Sequence, residues 1–132
     1  YYYPNGKLKI STHFEQDGRL NRTKIYFSSF QNAVQAEGNY FDKKKDSTWN
    51  YYNEAKVLIA VENYHNGIKD GDFKVFGPNG NLSRMEQYTN DSLVGTSIEY
   101  FENGTAFRFI GYQNGKRTGL RPCRLFNKTC KP

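Results

Sequence analysis

"FGPNGNLSRMEQYTNDSLVG" at 76–95 and "YFENGTAFRFIGYQNGKRTG" at 100–119 decide the fold. Each runs aromatic residue, Asn-Gly, a mixture of apolar and polar residues, Tyr, a polar turn, then Gly. Working outward, Tyr2, Phe27, Tyr51, Phe76 and Tyr100 form a column at spacings of 25, 24, 25 and 24 residues. A second column, Phe14, Tyr40, Tyr64, Tyr88 and Tyr112, follows the first by 12 or 13 residues. Every position in both columns is aromatic, although aromatics make up 17% of the chain. The period therefore marks one short unit written about five times.

Turn chemistry brackets each unit. Asn5-Gly6, Asn79-Gly80 and Asn103-Gly104 follow the first column, and Asn66-Gly67 and Asn114-Gly115 follow the second. Asn-Gly favours the positive φ angles of tight hairpins. Between turns, Leu8, Val34, Leu58, Leu82 and Ala106 form a third column that leads, two residues at a time, to the Tyr column. Period two means strands, so each unit reads as a β-hairpin. New hairpins start near Asp70-Gly71, Val94-Gly95 and Thr118-Gly119. Two units depart from the pattern: the second has no Asn-Gly after Phe27 and has Lys43 where Gly67 sits in the next unit, and "YYNEAK" in the third puts Ala55 in place of the turn glycine. Longer or differently shaped turns are expected there.

The 132 residues fit one domain, 1–132. Only 36% are apolar, but 11 Tyr and 10 Phe argue for a folded chain over a disordered one. Tyrosine suits a half-buried sheet, because its ring covers a thin core while its hydroxyl stays wet. No run approaches the roughly 20 apolar residues of a membrane helix. The opening "YYYPNG" falls inside a unit, which leads us to expect an upstream segment. A net charge of +6 favours acidic partners. The densest cationic run, "DKKKD" at 42–46, reads as a solvated loop tip.

No constellation argues for catalysis or for a bound cofactor. His13 and His65 are far apart and lack metal-site spacing. Glu62 and Glu86 hold equivalent positions, two residues before the Tyr column, and would suit acid-base chemistry. Arg84 and Arg108 in the adjacent column make cross-strand charge pairing the simpler reading. Regular aromatics are needed for burial, which disfavours a nucleic-acid stacking surface. Trp49, taken as equivalent to Ile25, Lys74 and Ile98, is expected to pack.

The motifs "YYPNGKLK" at 2–9, "YHNGIKDGDFKVFGPNGNL" at 64–82 and "YFENGTAFRFIGYQNGKRTG" at 100–119 resemble the bacterial MORN-type repeat, in the variant of the YwqK family of antitoxin-like proteins. The resemblance implies an all-β fold of antiparallel hairpin repeats stacked into an elongated twisted sheet or solenoid. It also implies binding in place of catalysis. The expected function is a noncatalytic scaffold for protein–protein binding, in its sharper form an antitoxin or immunity protein. The alternatives are a peripheral membrane or cell-envelope lipid-binding module and a structural spacer of a larger protein. The candidate partner-binding residues are Lys43, Lys44, Lys45, Arg84 and Arg108, facing an acidic protein surface.

Cys123 and Cys130, in "CRLFNKTC", fall after the last full unit, where residues 119–132 are expected to cap the stack. Leu125 stands 25 residues beyond Tyr100 and continues the first column. A turn around Phe126-Asn127 would bring the two cysteines together as a disulfide. A metal site or two reduced thiols are the rival readings. A disulfide implies an oxidising compartment, which favours the periplasm or cell surface over the cytosol.

Overall fold

The computed structural model describes residues 1–15, 17–29 and 33–122, with backbone alone at 120–122. The chain forms β1 (Ile10–Phe14), β2 (Leu20–Tyr26), β3 (Val34–Phe41), β4 (Lys44–Tyr52), β5 (Leu58–His65), β6 (Ile68–Lys69), β7 (Gly71–Phe76), β8 (Leu82–Thr89), β9 (Ser92–Tyr100), β10 (Ala106–Gln113) and β11 (Lys116–Pro122). All pair antiparallel with their sequence neighbours in one open, twisted sheet, β6 and β7 both lying against β5. The fold is all-β and built of consecutive hairpins, as the repeat requires.

Hydrogen-bond register corrects the first aromatic column. Tyr2 pairs with Leu8, Tyr26 with Val34, Tyr52 with Leu58, Phe76 with Leu82 and Tyr100 with Ala106. Tyr26 and Tyr52 thus hold the places read as Phe27 and Tyr51. Spacing cannot separate the members of an aromatic doublet, yet a one-residue slip moves a strand side chain to the other face. The second column stands as read: Phe14, Tyr40, Tyr64, Tyr88 and Tyr112 pair with Asn21, Lys45, Lys69, Leu93 and Arg117.

The two atypical turns keep the common shape. After the first column, Tyr3, Asn53, Gly77 and Phe101 each donate to the carbonyl four residues on and accept from the amide three residues on. That third residue is left-handed in each case: Gly6 (φ 79), Lys56 (φ 63), Gly80 (φ 83) and Gly104 (φ 86). Lys56 therefore takes the glycine position, and Ala55 stands where the other turns have Asn. After the second column, both central residues are left-handed, in Asp42-Lys43, Asn66-Gly67, Asn90-Asp91 and Asn114-Gly115. These are two-residue hairpins of the mirror-image type, which match the twist of the flanking strands. At these two turns the expectation of an altered shape is overturned, because hairpin geometry outweighs a left-handed side-chain penalty of about 1 kcal/mol. The turn after Phe27, which lacks Asn-Gly, is longer: Phe27 N–H donates to the Ala33 carbonyl, and Tyr26 pairs with Val34.

The densest packing lies on one face. Paired residues share a face, which places Tyr40, Trp49, Tyr51, Tyr64, Phe73 and Tyr88 together. Trp49 is fully buried and its Nε1 donates to the Asn39 carbonyl at 2.9 Å. Tyr40 meets the Trp49 ring edge-on, with centroids 4.9 Å apart, and Tyr64 and Tyr88 bracket Phe73 at 5.6 and 4.7 Å. Trp49 packs as expected, but its equivalent is Phe73, 24 residues on. Lys74 and Ile98 point to the opposite face, in a row with Met85 and Phe109. Phe109 is buried there. Truncating a residue as enclosed as Trp49 typically costs about 3–5 kcal/mol.

Candidate partner-binding surface

Arg84, Glu99 and Arg108 are register partners on β8, β9 and β10, so they form one row across the packed face. Val75 on β7 extends the row. Arg108 Nη1 lies 3.0 Å from a Glu99 carboxylate oxygen, and Arg84 Nε lies 3.5 Å from Glu86 on its own strand. Both arginine side chains are about half exposed, at 45% and 48%. The Arg108 guanidinium also sits over the Phe107 ring, which packs against Phe101 with centroids 4.5 Å apart. A shallow cavity of about 390 Å³ opens beside the row, lined by Val75, Ser83, Arg84, Glu99, Tyr100 and Phe107. Val75 and Phe101 are themselves exposed. Each guanidinium meets one carboxylate, so the charges of the row balance, and the apolar side chains of Val75, Tyr100 and Phe107 lie next to it.

The carboxylate pairing differs from the sequence expectation. Arg108 pairs with Glu99, and Arg84 with Glu86 in the same strand. Among the described residues Glu62 has no arginine partner. Its carboxylate accepts from the Tyr51 and Tyr64 hydroxyls at 2.7 and 2.8 Å and stands 3.8 Å from Lys45 Nζ. Burial first, then the Glu62 hydrogen bond, holds both hydroxyls protonated well above the ordinary tyrosine range. Two donors and a nearby cation engage the Glu62 carboxylate within the protein.

The three lysines of the β3–β4 turn separate into two environments. Lys45 Nζ lies over Trp49, Tyr51 and Tyr64, 4.8 to 5.2 Å from the ring centroids, and also reaches the Tyr51 hydroxyl. Its stem covers the aromatic ladder and its charge faces Glu62. Lys43 and Lys44 are exposed. Beside them Arg19 grips Asp42 with two hydrogen bonds, at 2.7 and 3.1 Å. That pair holds the Asp42 carboxyl below its usual range, chiefly through the Arg19 hydrogen bond. The structure does not bring these lysines to the arginine row. Lys43 sits in a turn after the second column, whereas Arg84 lies next to a turn at the opposite strand ends, on β8.

His13 and His65 are both exposed, and His65 Nδ1 lies 3.8 Å from Asp46. Among the described residues no group of three potential metal ligands occurs. Glu99, Phe101 and Phe107 were not singled out by sequence. The position of Glu99, directly before an aromatic of the first column, was the available signal. Cys123 and Cys130 lie outside the described residues, as does the capping segment beyond residue 122.

The MORN repeat variant family matches residues 1–16 and 69–90, which supports a MORN-type repeat protein. Repeats of this kind are generally noncatalytic modules, often engaged in protein or membrane binding. No curated protein and no solved structure matches the chain.

Proposed function

We propose that this chain is a noncatalytic repeat scaffold that binds a protein partner through the face carrying Arg84 and Arg108. The partner presents carboxylates to the arginines and an apolar side chain to the Val75–Tyr100–Phe107 cavity. The arginine row carries the reading: both guanidiniums are half exposed, each against one carboxylate, on a chain of net charge +6, and apolar side chains lie beside them. Such a combination favours electrostatic steering followed by apolar docking. In its sharper form the partner is a toxin and the chain its antitoxin or immunity protein, acting at the periplasm or cell surface.

Charge reversal at both positions tests the surface. Arg84→Glu with Arg108→Glu should leave the melting temperature nearly unchanged and abolish capture of the partner identified by mass spectrometry with the unaltered chain. Capture should also weaken as salt rises. Undiminished capture by the folded double variant removes this face from consideration. For the sharper form, the captured protein is expressed alone and with the chain. Growth arrest relieved by co-expression supports neutralisation, and a harmless partner rules it out.

A further inference from the structure

The Asn-Gly pairs in the described residues fall into two chemical classes. In Asn5, Asn79 and Asn103 the side-chain Oδ1 accepts the amide N–H two residues on, from Lys7 at 3.1 Å, Asn81 at 3.0 Å and Thr105 at 2.9 Å. Their side chains are part of the turn. Asn66 and Asn114 sit instead at the first central position of mirror-image turns, with φ of 52° and 50°. Both are exposed. Among the described residues their side-chain amides make no hydrogen bond. The turn at Asn66 is held by main-chain groups: its own N–H donates to Asp46 Oδ1 at 2.9 Å, and Gly67 N–H donates to the Lys45 carbonyl at 2.7 Å. Gly115 N–H likewise donates to the Leu93 carbonyl at 2.9 Å.

We propose that Asn66 and Asn114 are the sites at which the folded protein modifies itself, by spontaneous conversion of asparagine to aspartate and isoaspartate. The following glycine amide nitrogen loses its proton to solvent and bonds to the asparagine Cγ. The Cγ–Nδ2 bond breaks and ammonia leaves, closing a five-membered succinimide. Water then opens either ring carbonyl. No reagent but water is needed, and glycine offers no side chain to block the approach. At Asn5, Asn79 and Asn103, swinging Cγ onto the next nitrogen breaks the Oδ1 hydrogen bond as well as the Gly N–H bond. At Asn66 and Asn114 only the Gly N–H bond must open. One additional hydrogen bond to break slows the reaction several-fold.

The product alters how units join. Isoaspartate inserts a methylene into a two-residue turn whose dihedrals leave no room for one, and the new carboxylate at 66 lies beside Asp46. Both the Gly67 bond to Lys45 and the bond to Asp46 link the β5–β6 turn to β4. Conversion at 66 therefore loosens the junction under the Trp49 cluster.

Peptide mapping of the intact chain, aged at mildly alkaline pH, reads the conversion at each site. Asn66 and Asn114 should convert several-fold faster than Asn5, Asn79 and Asn103 in buffer, with the difference vanishing in denaturant. The denatured control isolates the contribution of the fold from intrinsic sequence rates. Asn66→Gln and Asn114→Gln should each remove one fast site. Equal rates at all five sites in the folded protein overturn the assignment, as does faster conversion at the three turn-locked positions.

Discussion

Gly38 lies directly beneath Trp49: a Cβ built on Gly38 would stand 2.3 Å from the indole. The backbone at Gly38 has ordinary dihedrals, so this glycine is required for space. β3 carries no side chain there so that β4 can lay its largest residue flat across it. Gly38→Ala must displace the Trp49 ring and its hydrogen bond to Asn39, costing about 2 kcal/mol by overpacking. Gly119→Ala is the control, because a Cβ there meets nothing. Equal melting temperatures for the two variants would contradict the placement of Trp49.

Lys43 occupies a left-handed position that glycine fills in two equivalent turns. Lys43→Gly should therefore stabilise the protein, by about 0.5–1 kcal/mol, as strain relief outweighs the added chain entropy. Chemical denaturation would register this as a higher midpoint at unchanged slope. A destabilised variant would mean that the lysine side chain supplies more than its backbone costs.

Tyr51 and Tyr64 share the Glu62 carboxylate, and both hydroxyls hold their protons above the usual tyrosine value of about 10. The folded state thus binds protons that the unfolded state has already released. Their stabilisation is complete below about pH 10 and is lost as pH rises beyond it toward the folded values. Thermal midpoints measured across this range should hold steady and then decline, with Tyr51→Phe giving a shallower decline. A midpoint insensitive to strongly alkaline pH would refute the coupling.

Equivalent positions along the repeat change together. Lys45 and Glu62 become Lys69 and Glu86 in the next unit and Leu93 and Ile110 in the one after. Ile110 is buried. Lys69 lies over Phe73 and Tyr88, while Glu86 accepts from the Tyr88 hydroxyl at 3.2 Å. We expect Glu86→Ile alone to be destabilising, and Lys69→Leu combined with Glu86→Ile to recover about 1 kcal/mol relative to additivity. Strict additivity would show that the two positions act independently.

Much of this fold was legible because repetition amplifies a weak signal. One Asn-Gly near one tyrosine means little, whereas Tyr64, Tyr88 and Tyr112 at a constant 24 residues fix both the unit and its period. Legibility failed at the doublets Tyr26-Phe27 and Tyr51-Tyr52, where adjacent aromatics offer two registers of equal spacing. It failed again at Lys43 and Lys56, since composition names the residues that prefer a left-handed turn and cannot show that a lysine has been forced into one. The arginines of the candidate surface were visible as recurring cations. Their partner Glu99 and the Phe101–Phe107 stack were not, because those contacts depend on bulges that shift register between β8, β9 and β10.

The sequence alone determined the hairpin unit, its period and the antiparallel order of the strands. These follow from alternation and turn chemistry, which act over a few residues. Only the tertiary structure decided which face Trp49 and Phe73 occupy, which carboxylate each arginine meets, and that Lys45 covers the core while Lys43 and Lys44 face solvent. Those outcomes depend on cross-strand register. A shift of one residue, invisible in spacing, reverses the face of every side chain on a strand.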